Sequence, residues 1–178
     1  LIGHNSLNQI VNKLGITKPS KILYELDKIV YKTLQNNLEH TNIKDGMDMA
    51  ICALNKKTKM LEFSGAYNPL YMIRNNVMME IKGDKIAIGS GQTERQYKNE
   101  EIQMQSEDRI YLFSDGYVDQ FGGERGKKFK YSRFKDLLVT HHKQPMMRQH
   151  DILDMCIDEW QGDLEQLDDI CVIGVAIP

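Results

Sequence analysis

The sequence predicts an α+β fold in which helices come first, several antiparallel strands follow, and further helices precede a last strand. Apolar residues recur at helical spacing near the start of the 178-residue chain and again after residue 130, whereas short apolar runs separated by turn formers fill the middle. The links between these runs are short, which implies that neighbouring strands pair antiparallel. With 41% hydrophobic residues and no repeat or low-complexity linker, residues 1–178 are predicted to form a single domain.

Two helices are predicted at the start of the chain. The clearer one runs from residue 19 to about residue 40, because Pro19 suits a first helical position and apolar residues follow at helical spacing. The opening stretch LIGHNSLNQIVNKLG suits a helix that is already under way. Since the chain does not begin with Met, a preceding segment is expected.

The middle of the chain is predicted to form strands, because its apolar runs are too short and too uniformly apolar for amphipathic helices. The tripeptide RNN at 74–76 suggests a tight hairpin between two of them. The predicted strands cover residues 47–54, 60–66, 69–73, 77–81, 100–105 and 109–114.

Helical spacing returns in SRFKDLLVTHH and MMRQHDILDMCIDEW, and the second of these helices has one apolar face, formed by Ile152, Leu153, Cys156, Ile157 and Trp160. The final run ICVIGVAI, residues 170–177, is apolar enough to predict a central strand. The histidines on these helices are interpreted as surface residues. Three cysteines lack zinc-like spacing and sit among apolar neighbours, so they are interpreted as reduced core residues: Cys52, Cys156 and Cys171.

Composition argues against several function classes. The net charge of -2 and the sequence pI of about 6.2 give no general attraction to nucleic acid or to an anionic membrane. No apolar run approaches the roughly 20 residues that span a bilayer. We therefore expect no nucleic-acid partner, no membrane association of this domain and a cytoplasmic location.

The stretch ERGKKFKYSRFK, residues 124–135, places six cations beside aromatic residues. It superficially resembles a nucleic-acid patch, but such a surface usually needs a wider basic field. A solvated loop leading into a helix is the plainer interpretation. A third is a segment that docks a phosphoprotein, in which Arg125, Lys127 and Lys128 attract a phosphate.

Acidic residues flank several predicted strands. Asp115 follows strand 109–114, and Asp168 and Asp169 precede strand 170–177, so antiparallel pairing of these strands would bring the carboxylates to one edge of the sheet. Asp45 and Asp48 flank the start of another strand and could approach that edge. Carboxylates so close together repel one another, and a hard divalent cation, Mg²⁺ or Mn²⁺, would compensate their charge. Asp-Gly and Asp before a strand are, however, also common in plain turns.

Four blocks together resemble the PPM/PP2C-type protein serine/threonine phosphatases, specifically the bacterial SpoIIE-like branch: KDGMDMAICALN, FSGAYNPLYMIR, IYLFSDGYVDQFGGERGKKF and EQLDDICVIGVAI. The match runs in order across nearly the whole chain. It implies a four-layer α-β-β-α sandwich of two antiparallel sheets between helical layers. It also implies hydrolysis of phosphoserine or phosphothreonine by metal-activated water, with two Mn²⁺ or Mg²⁺ ions in a complete site and no side-chain nucleophile.

The resemblance also implies roles for single residues. Asp115 and Asp168 match carboxylate ligands of one catalytic metal. Asp169 stands where the wider family usually has Asn, so it is expected, like Gly116, to support the ligands rather than to bind the metal. The segment KDGMD, with Asp45 and Asp48, is expected to have a supporting, a third-metal or a structural role.

One departure from the family is plain. The acidic D-x-T-G-H-G motif, whose Asp bridges both metals, is absent, and Gly3-His4 does not replace it because no Asp precedes it. The chain is therefore expected to be a domain without its amino-terminal strands, with weakened or no activity and a possible homodimer at its open sheet edges. The implied partners are an upstream sensory or receiver domain and a phosphorylated regulatory protein, such as a STAS-type anti-sigma-factor antagonist. The alternative is a non-catalytic pseudophosphatase or interaction module.

Overall fold

The computed structural model describes residues 2–37, 46–91 and 96–178. Its helices are α1 (Ile2–Asn8), α2 (Pro19–Asn37), α3 (Gly116–Asp119), α4 (Tyr131–His141) and α5 (Met146–Gln161), and a π-helical turn, Gln9–Lys13, continues α1. Its strands are β1 (Met49–Asn55), β2 (Met60–Ala66), β3 (Leu70–Arg74), β4 (Val77–Ile81), β5 (Glu100–Gln103), β6 (Arg109–Phe113), β7 (Phe121–Gly122), β8 (Lys127–Lys128) and β9 (Val172–Ala176).

The chain folds into two compact units. The first contains Leu1–Leu70 and Lys82–Met104, and the second contains Tyr71–Ile81 and Gln105–Pro178. Each unit has a hydrophobic core of its own.

The first unit combines α1 and α2 with an antiparallel sheet in the order β1-β2-β5. The apolar face of α2 is buried, with Leu23 and Leu26 fully covered. These two residues belong to a cluster that includes Ala66 of β2. The buried carboxylate of Asp27 accepts a hydrogen bond of 2.6 Å from the backbone N–H of Gly89, which ties the loop after β4 to α2. This bond satisfies a charge that burial would otherwise destabilise.

The second unit is built on an antiparallel sheet in the order β4-β3-β6-β9, with a small β7–β8 hairpin beside it. Both neighbours of β6 pair with it in register, since Tyr71 faces Tyr111 on one side and Gly174 faces Tyr111 on the other. Helices α4 and α5 complete the core through Phe134 and Ile157. Tilted and edge-on ring contacts dominate this core, and the edge-on arrangement is one that aromatic pairs prefer.

A buried ion pair fixes the start of β6. Asp108 is 1% exposed and accepts two hydrogen bonds from the guanidinium of Arg74 at 2.9 and 2.6 Å, and a third from the backbone N–H of Gln105 at 2.7 Å. Burial alone would raise the pKa of Asp108, but the hydrogen bond and charge of Arg74 and the Gln105 N–H outweigh it and lower that pKa. The pair therefore joins the end of β3 to the beginning of β6.

Most predicted elements are present. The strands predicted at 60–66 and 77–81 have those bounds, α2 begins at Pro19 as predicted, and the hairpin at 74–76 is real, with Asn75 and Asn76 at positive φ values of 51° and 64°. The predicted end of α2 near residue 40 lies outside the described residues. Of the histidines predicted at the surface, His150 is exposed and His141 and His142 are partly exposed.

Two predictions are wrong. The last strand is not central, because β9 pairs with β6 on one side and stands at the edge of its sheet within the described residues, with Ile173 53% exposed. The prediction read an apolar run as a strand enclosed on both sides, but apolarity does not specify the number of partner strands. Cys171 is not a core residue either, since it precedes this edge strand and is exposed, whereas Cys52 and Cys156 are partly buried and all three are free thiols.

Candidate metal centre

The candidate site begins where β6 ends. After Phe113 the chain passes through Ser114 and turns into the short helix α3, with Asp115 as the residue that precedes the helix. Asp115 is exposed, and its carboxylate makes no capping hydrogen bond among the described residues. The next residue but one, Tyr117, is buried and donates a hydrogen bond of 2.8 Å to the carbonyl of Leu153 in α5. The buried Tyr117 thus anchors α3 while Asp115 faces outward.

Ser114 connects this segment to the loop that leads into β9. Its backbone N–H donates to the carbonyl of Cys171 at 3.0 Å, and its hydroxyl donates to the carbonyl of Asp169 at 2.7 Å. The same hydroxyl oxygen accepts the backbone N–H of Cys171 at 2.9 Å. One serine therefore extends the β6–β9 pairing past the last residues of the ladder.

Gly116 brings the two acidic segments into backbone contact. A Cβ at this position would lie 2.4 Å from the carbonyl oxygen of Asp169, 2.8 Å from its carbonyl carbon and 3.3 Å from the carbonyl oxygen of Asp168. Any side chain here would collide with backbone atoms. The glycine of the SDG motif is therefore required by packing, and Asp115 and Asp168 lie at the same edge of the sheet.

The second acidic segment is held by its own hydrogen bonds. The Oδ1 atom of Asp168 accepts the backbone N–H of Asp169 at 2.7 Å, and the Asp168 carbonyl accepts the side-chain amide of Gln166 at 2.8 Å. Both aspartates are exposed. The free lone pairs of Asp168 are thus accessible, while its orientation is partly fixed.

Tyr131, the first residue of α4, lies close to this edge. Burial, followed by the negative charges of Asp115 and Asp119, raises the pKa of the Tyr131 phenol. Asp119 in turn accepts a hydrogen bond of 2.8 Å from the ammonium of Lys128 in the β7–β8 hairpin. The acidic edge is therefore bordered by a phenol and by the basic hairpin.

The described donor set is suitable for a hard cation. Asp115 and Asp168 offer exposed carboxylate oxygens, the ligand type that Mg²⁺ and Mn²⁺ prefer, and such ions complete their shell with water. Among residues 2–37, 46–91 and 96–178, however, no group of three or more His, Cys, Asp or Glu residues is placed to hold a metal. The two carboxylates fit part of a metal site.

The other predicted ligands lie elsewhere in the chain. Asp45 lies outside the described residues. Gly46 and Asp48 belong to the first unit, where a Cβ on Gly46 would approach that of Ala87 to 2.6 Å and Met47 exchanges backbone hydrogen bonds with Ile88. This segment has an evident packing role in its own unit. A role of Asp45 or Asp48 at a metal remains a prediction.

The basic stretch forms a structure that the sequence did not predict. Strands β7 and β8 make a hairpin, and Arg125, Lys127 and Lys128 are exposed on it. Gly122 of β7 packs so closely against α5 that an added Cβ would lie 1.8 Å from the carbonyl oxygen of Trp160. Two-residue strands leave no hydrophobic period, so only the paired glycines of FGGERG signalled this turn.

Comparison with known proteins supplies a family and a fold. The family model of stage II sporulation protein E (SpoIIE) matches residues 4–178. A search of curated proteins found no match. In the described residues, no helix is both long and apolar enough to span a bilayer.

Solved structures match over almost the full chain. The SiaA-PP2C domain of Pseudomonas aeruginosa is 28% identical with a TM-score of 0.88, over 99% of this chain and 68% of that one. The phosphatase domain of the cell fate determinant SpoIIE from Bacillus subtilis is 15% identical with a TM-score of 0.57, over 98% and 73%. PppA, a key regulatory component of T6SS in Pseudomonas aeruginosa, is 14% identical with a TM-score of 0.63, over 96% and 74%. The predicted α+β fold of the PP2C type, with antiparallel sheets, is thereby confirmed.

Proposed function

The chain belongs to the SpoIIE family of PP2C-type phosphatase domains. From this we propose a phosphatase domain that hydrolyses phosphoserine or phosphothreonine on a regulatory protein with the help of divalent cations, with weakened or no activity in this chain, which lacks the D-x-T-G-H-G motif. The observation that carries the proposal is the meeting of Asp115 and Asp168 at one sheet edge, where Gly116 permits backbone contact between their segments. A turn-forming role for each aspartate alone would not require that contact.

Each residue of the edge has a distinct task in this proposal. Asp115 and Asp168 bind the cation through their exposed carboxylates. Asp169 and Gly116 hold the two segments together, since the Asp169 carbonyl accepts the Ser114 hydroxyl and also abuts Gly116. Asp45 and Asp48 are proposed as supporting residues or as ligands of a further cation.

The cation is proposed to be Mn²⁺ or Mg²⁺, two in a complete site. When bound, such ions supply the acidity that activates a water for attack on phosphorus. The chain itself contributes negative charge at fixed positions and leaves the approach to Asp115 open. No side chain of the described site is needed as a nucleophile.

The relatives point to a signalling role. The similar structures include the phosphatase domain of a cell fate determinant, SpoIIE, and a key regulatory component of T6SS, PppA. A further match covers the RsbU and RsbW domains of a Mycobacterium tuberculosis protein. We propose by analogy a phosphorylated regulatory protein as substrate, for which a STAS-type anti-sigma-factor antagonist is one candidate. An upstream sensory or receiver domain and a cytoplasmic location belong to the same proposal.

A calorimetric titration with Mn²⁺ tests the proposal directly. We expect saturable binding that Asp115→Asn and Asp168→Asn each abolish, because each removes one carboxylate from the same edge. Asp163→Asn, at an exposed position just after α5, is the matched control and should bind like the parent chain. Absence of Mn²⁺ binding by the folded parent, or equal binding by all three variants, would contradict the proposed site.

The competing function is a non-catalytic interaction module. It is favoured by one observation, namely that the described residues contain no three-residue metal-binding group. Release of phosphate from a phosphoserine protein, dependent on Mn²⁺ and on Asp115, separates the two functions. A folded chain that binds a partner but neither binds Mn²⁺ nor releases phosphate would favour the module.

A further inference from the structure

We infer that the basic hairpin forms a docking pocket for an acidic peptide segment of the partner protein. The pocket has a volume of about 500 Å³ and lies between the β7–β8 hairpin, the start of α4 and the indole of α5. It is lined by Arg125, Lys127, Lys128, Lys130, Arg133 and Trp160, together with glycines and Glu124. As a binding site it needs no metal; its assignment to the substrate rests on the proposed phosphatase function.

Charge is the first argument for an acidic occupant. Five cationic side chains line the pocket against the single carboxylate of Glu124, although the chain as a whole has a net charge of -2. The Lys128 ammonium also forms an ion pair with the Asp119 carboxylate, and the Arg133 guanidinium lies 4.2 Å from the centre of the Trp160 ring. Arg125, Lys127 and Lys130 are exposed on the same rim. A concave surface of one sign focuses the field on ligands of the opposite sign.

The start of α4 adds to this field. Lys130 precedes the helix at a φ of 77° and provides no side-chain cap, and the described first turn of α4 contains no acidic residue. A helix amino terminus carries a partial positive charge, so Lys130 and Arg133 stand where cations are unfavourable. A bound carboxylate would offset these positive charges, which would strengthen its binding.

The pocket is rigid enough to be formed before a ligand arrives. The Trp160 indole N–H donates to the carbonyl of Gln120 at 3.1 Å, and the backbone N–H of Gly123 donates to the carbonyl of Trp160 at 2.7 Å. Gly122 and Gly123 both pack against Trp160 without room for a Cβ. Little ordering entropy is then lost on binding.

Size and position favour a peptide over nucleic acid. A nucleic-acid surface needs cations along an extended backbone, whereas these cations converge on one pocket of about 500 Å³ in an otherwise acidic chain. The pocket also borders the candidate metal centre, because Lys128 bonds to Asp119 at the end of the four-residue helix that follows Asp115. A partner docked there would present a neighbouring residue to the acidic edge.

Trp160 makes the test direct, since it is the only tryptophan of the chain. A fluorescein-labelled peptide of about ten residues rich in Glu is titrated with the chain, in a buffer of low salt that contains a metal chelator. Its Gln analogue is titrated in the same way. Anisotropy reports binding, and tryptophan fluorescence reports its location. We expect saturable binding of the Glu peptide alone, a change in Trp160 emission, and weakening by added salt.

Two matched double variants make the result specific. Arg125→Gln with Lys127→Gln should weaken binding by about 2- to 30-fold, the range for two exposed charge pairs. Lys56→Gln with Lys57→Gln removes the same charge from the exposed β1–β2 turn and should leave binding unchanged. No binding, equal binding of the Gln analogue, equal weakening by both variants, or tighter binding of a single-stranded oligonucleotide would each overturn the proposal.

The outcome is separable from that of the proposed function, because the peptide titration contains no metal. Peptide binding without Mn²⁺ binding would keep the docking pocket and assign it to an interaction module. Mn²⁺ binding without peptide binding would keep the phosphatase and remove the pocket.

Discussion

Gly116→Ala tests whether the two acidic segments depend on backbone contact. The new Cβ would lie 2.4 Å from the carbonyl oxygen of Asp169, whereas an ordinary contact is about 3.5 Å, so this carbonyl must withdraw by about 1 Å. The same oxygen accepts the Ser114 hydroxyl at 2.7 Å, and that bond would be stretched. Overpacking costs about 1–3 kcal/mol and a weakened hydrogen bond adds about 1 kcal/mol, so we expect a loss of about 2–4 kcal/mol.

Urea unfolding followed by Trp160 fluorescence is the assay, because Trp160 belongs to the same unit as Gly116. The control is Gly174→Ala, whose Cβ would meet only side-chain atoms, Met146 Sδ at 3.3 Å and the Tyr111 ring at 3.4 Å. We expect the control to lose less than about 1 kcal/mol. If Gly116→Ala unfolds within about 0.5 kcal/mol of the parent chain, the reasoning from backbone contact is refuted.

Three further predictions concern the second unit. Asp108→Asn should lower the free energy of unfolding by about 2–3 kcal/mol at neutral pH, less than for a fully buried pair because the Arg74 side chain is 23% exposed. Because the folded pKa of Asp108 is below its ordinary value, this contribution is present above about pH 4 and disappears as the pH falls through the folded pKa. Urea unfolding of the variant should therefore depend less on pH in acid than that of the parent chain. Tyr111→Phe should cost about 1–2 kcal/mol in the same assay, since it removes the 2.7 Å hydrogen bond to the buried amide oxygen of Gln149, and an unchanged midpoint would contradict this. Asp115→Asn should lower the pKa of Tyr131, because the Asp115 charge disfavours the Tyr131 phenolate. Ultraviolet titration measures this pKa once the signal of a Tyr131→Phe reference variant is subtracted, and an unchanged pKa of Tyr131 would contradict the coupling.

Local sequence patterns predicted the elements whose apolar residues recur at regular spacing or whose start is marked by a residue such as Pro. Pro19 starts α2, and the apolar run at 60–66 is β2 with those bounds, because both signals act within a few residues. The β7–β8 hairpin was missed since strands of two residues show no period. The edge position of β9 was missed because the number of partner strands depends on tertiary structure, which an apolar run does not encode.

The candidate site was predictable to the extent that it follows from strand direction. Antiparallel pairing of β6 with β9 was sufficient to bring Asp115 and Asp168 to one edge. The bridging hydroxyl of Ser114 and the nearby phenol of Tyr131 were not predictable, because they depend on where individual side chains point.

The interleaving of the two units has a consequence for biosynthesis. Residues Tyr71–Ile81, which form nearly all of the β3–β4 hairpin, belong to the second unit. They leave the ribosome before Lys82–Met104, the segment that completes the first unit. Tyr71 and Ile73 are each 1% exposed in the finished protein, and an isolated two-stranded hairpin cannot bury them. Roughly 95 residues separate the end of β4 from the end of β9, so at about 5–20 residues per second the nascent hairpin waits about 5–20 seconds for its sheet. During that interval we expect its exposed apolar residues to be available to a chaperone. Because each unit consists of two segments of the chain, neither unit can be produced alone by cutting the gene at a single point.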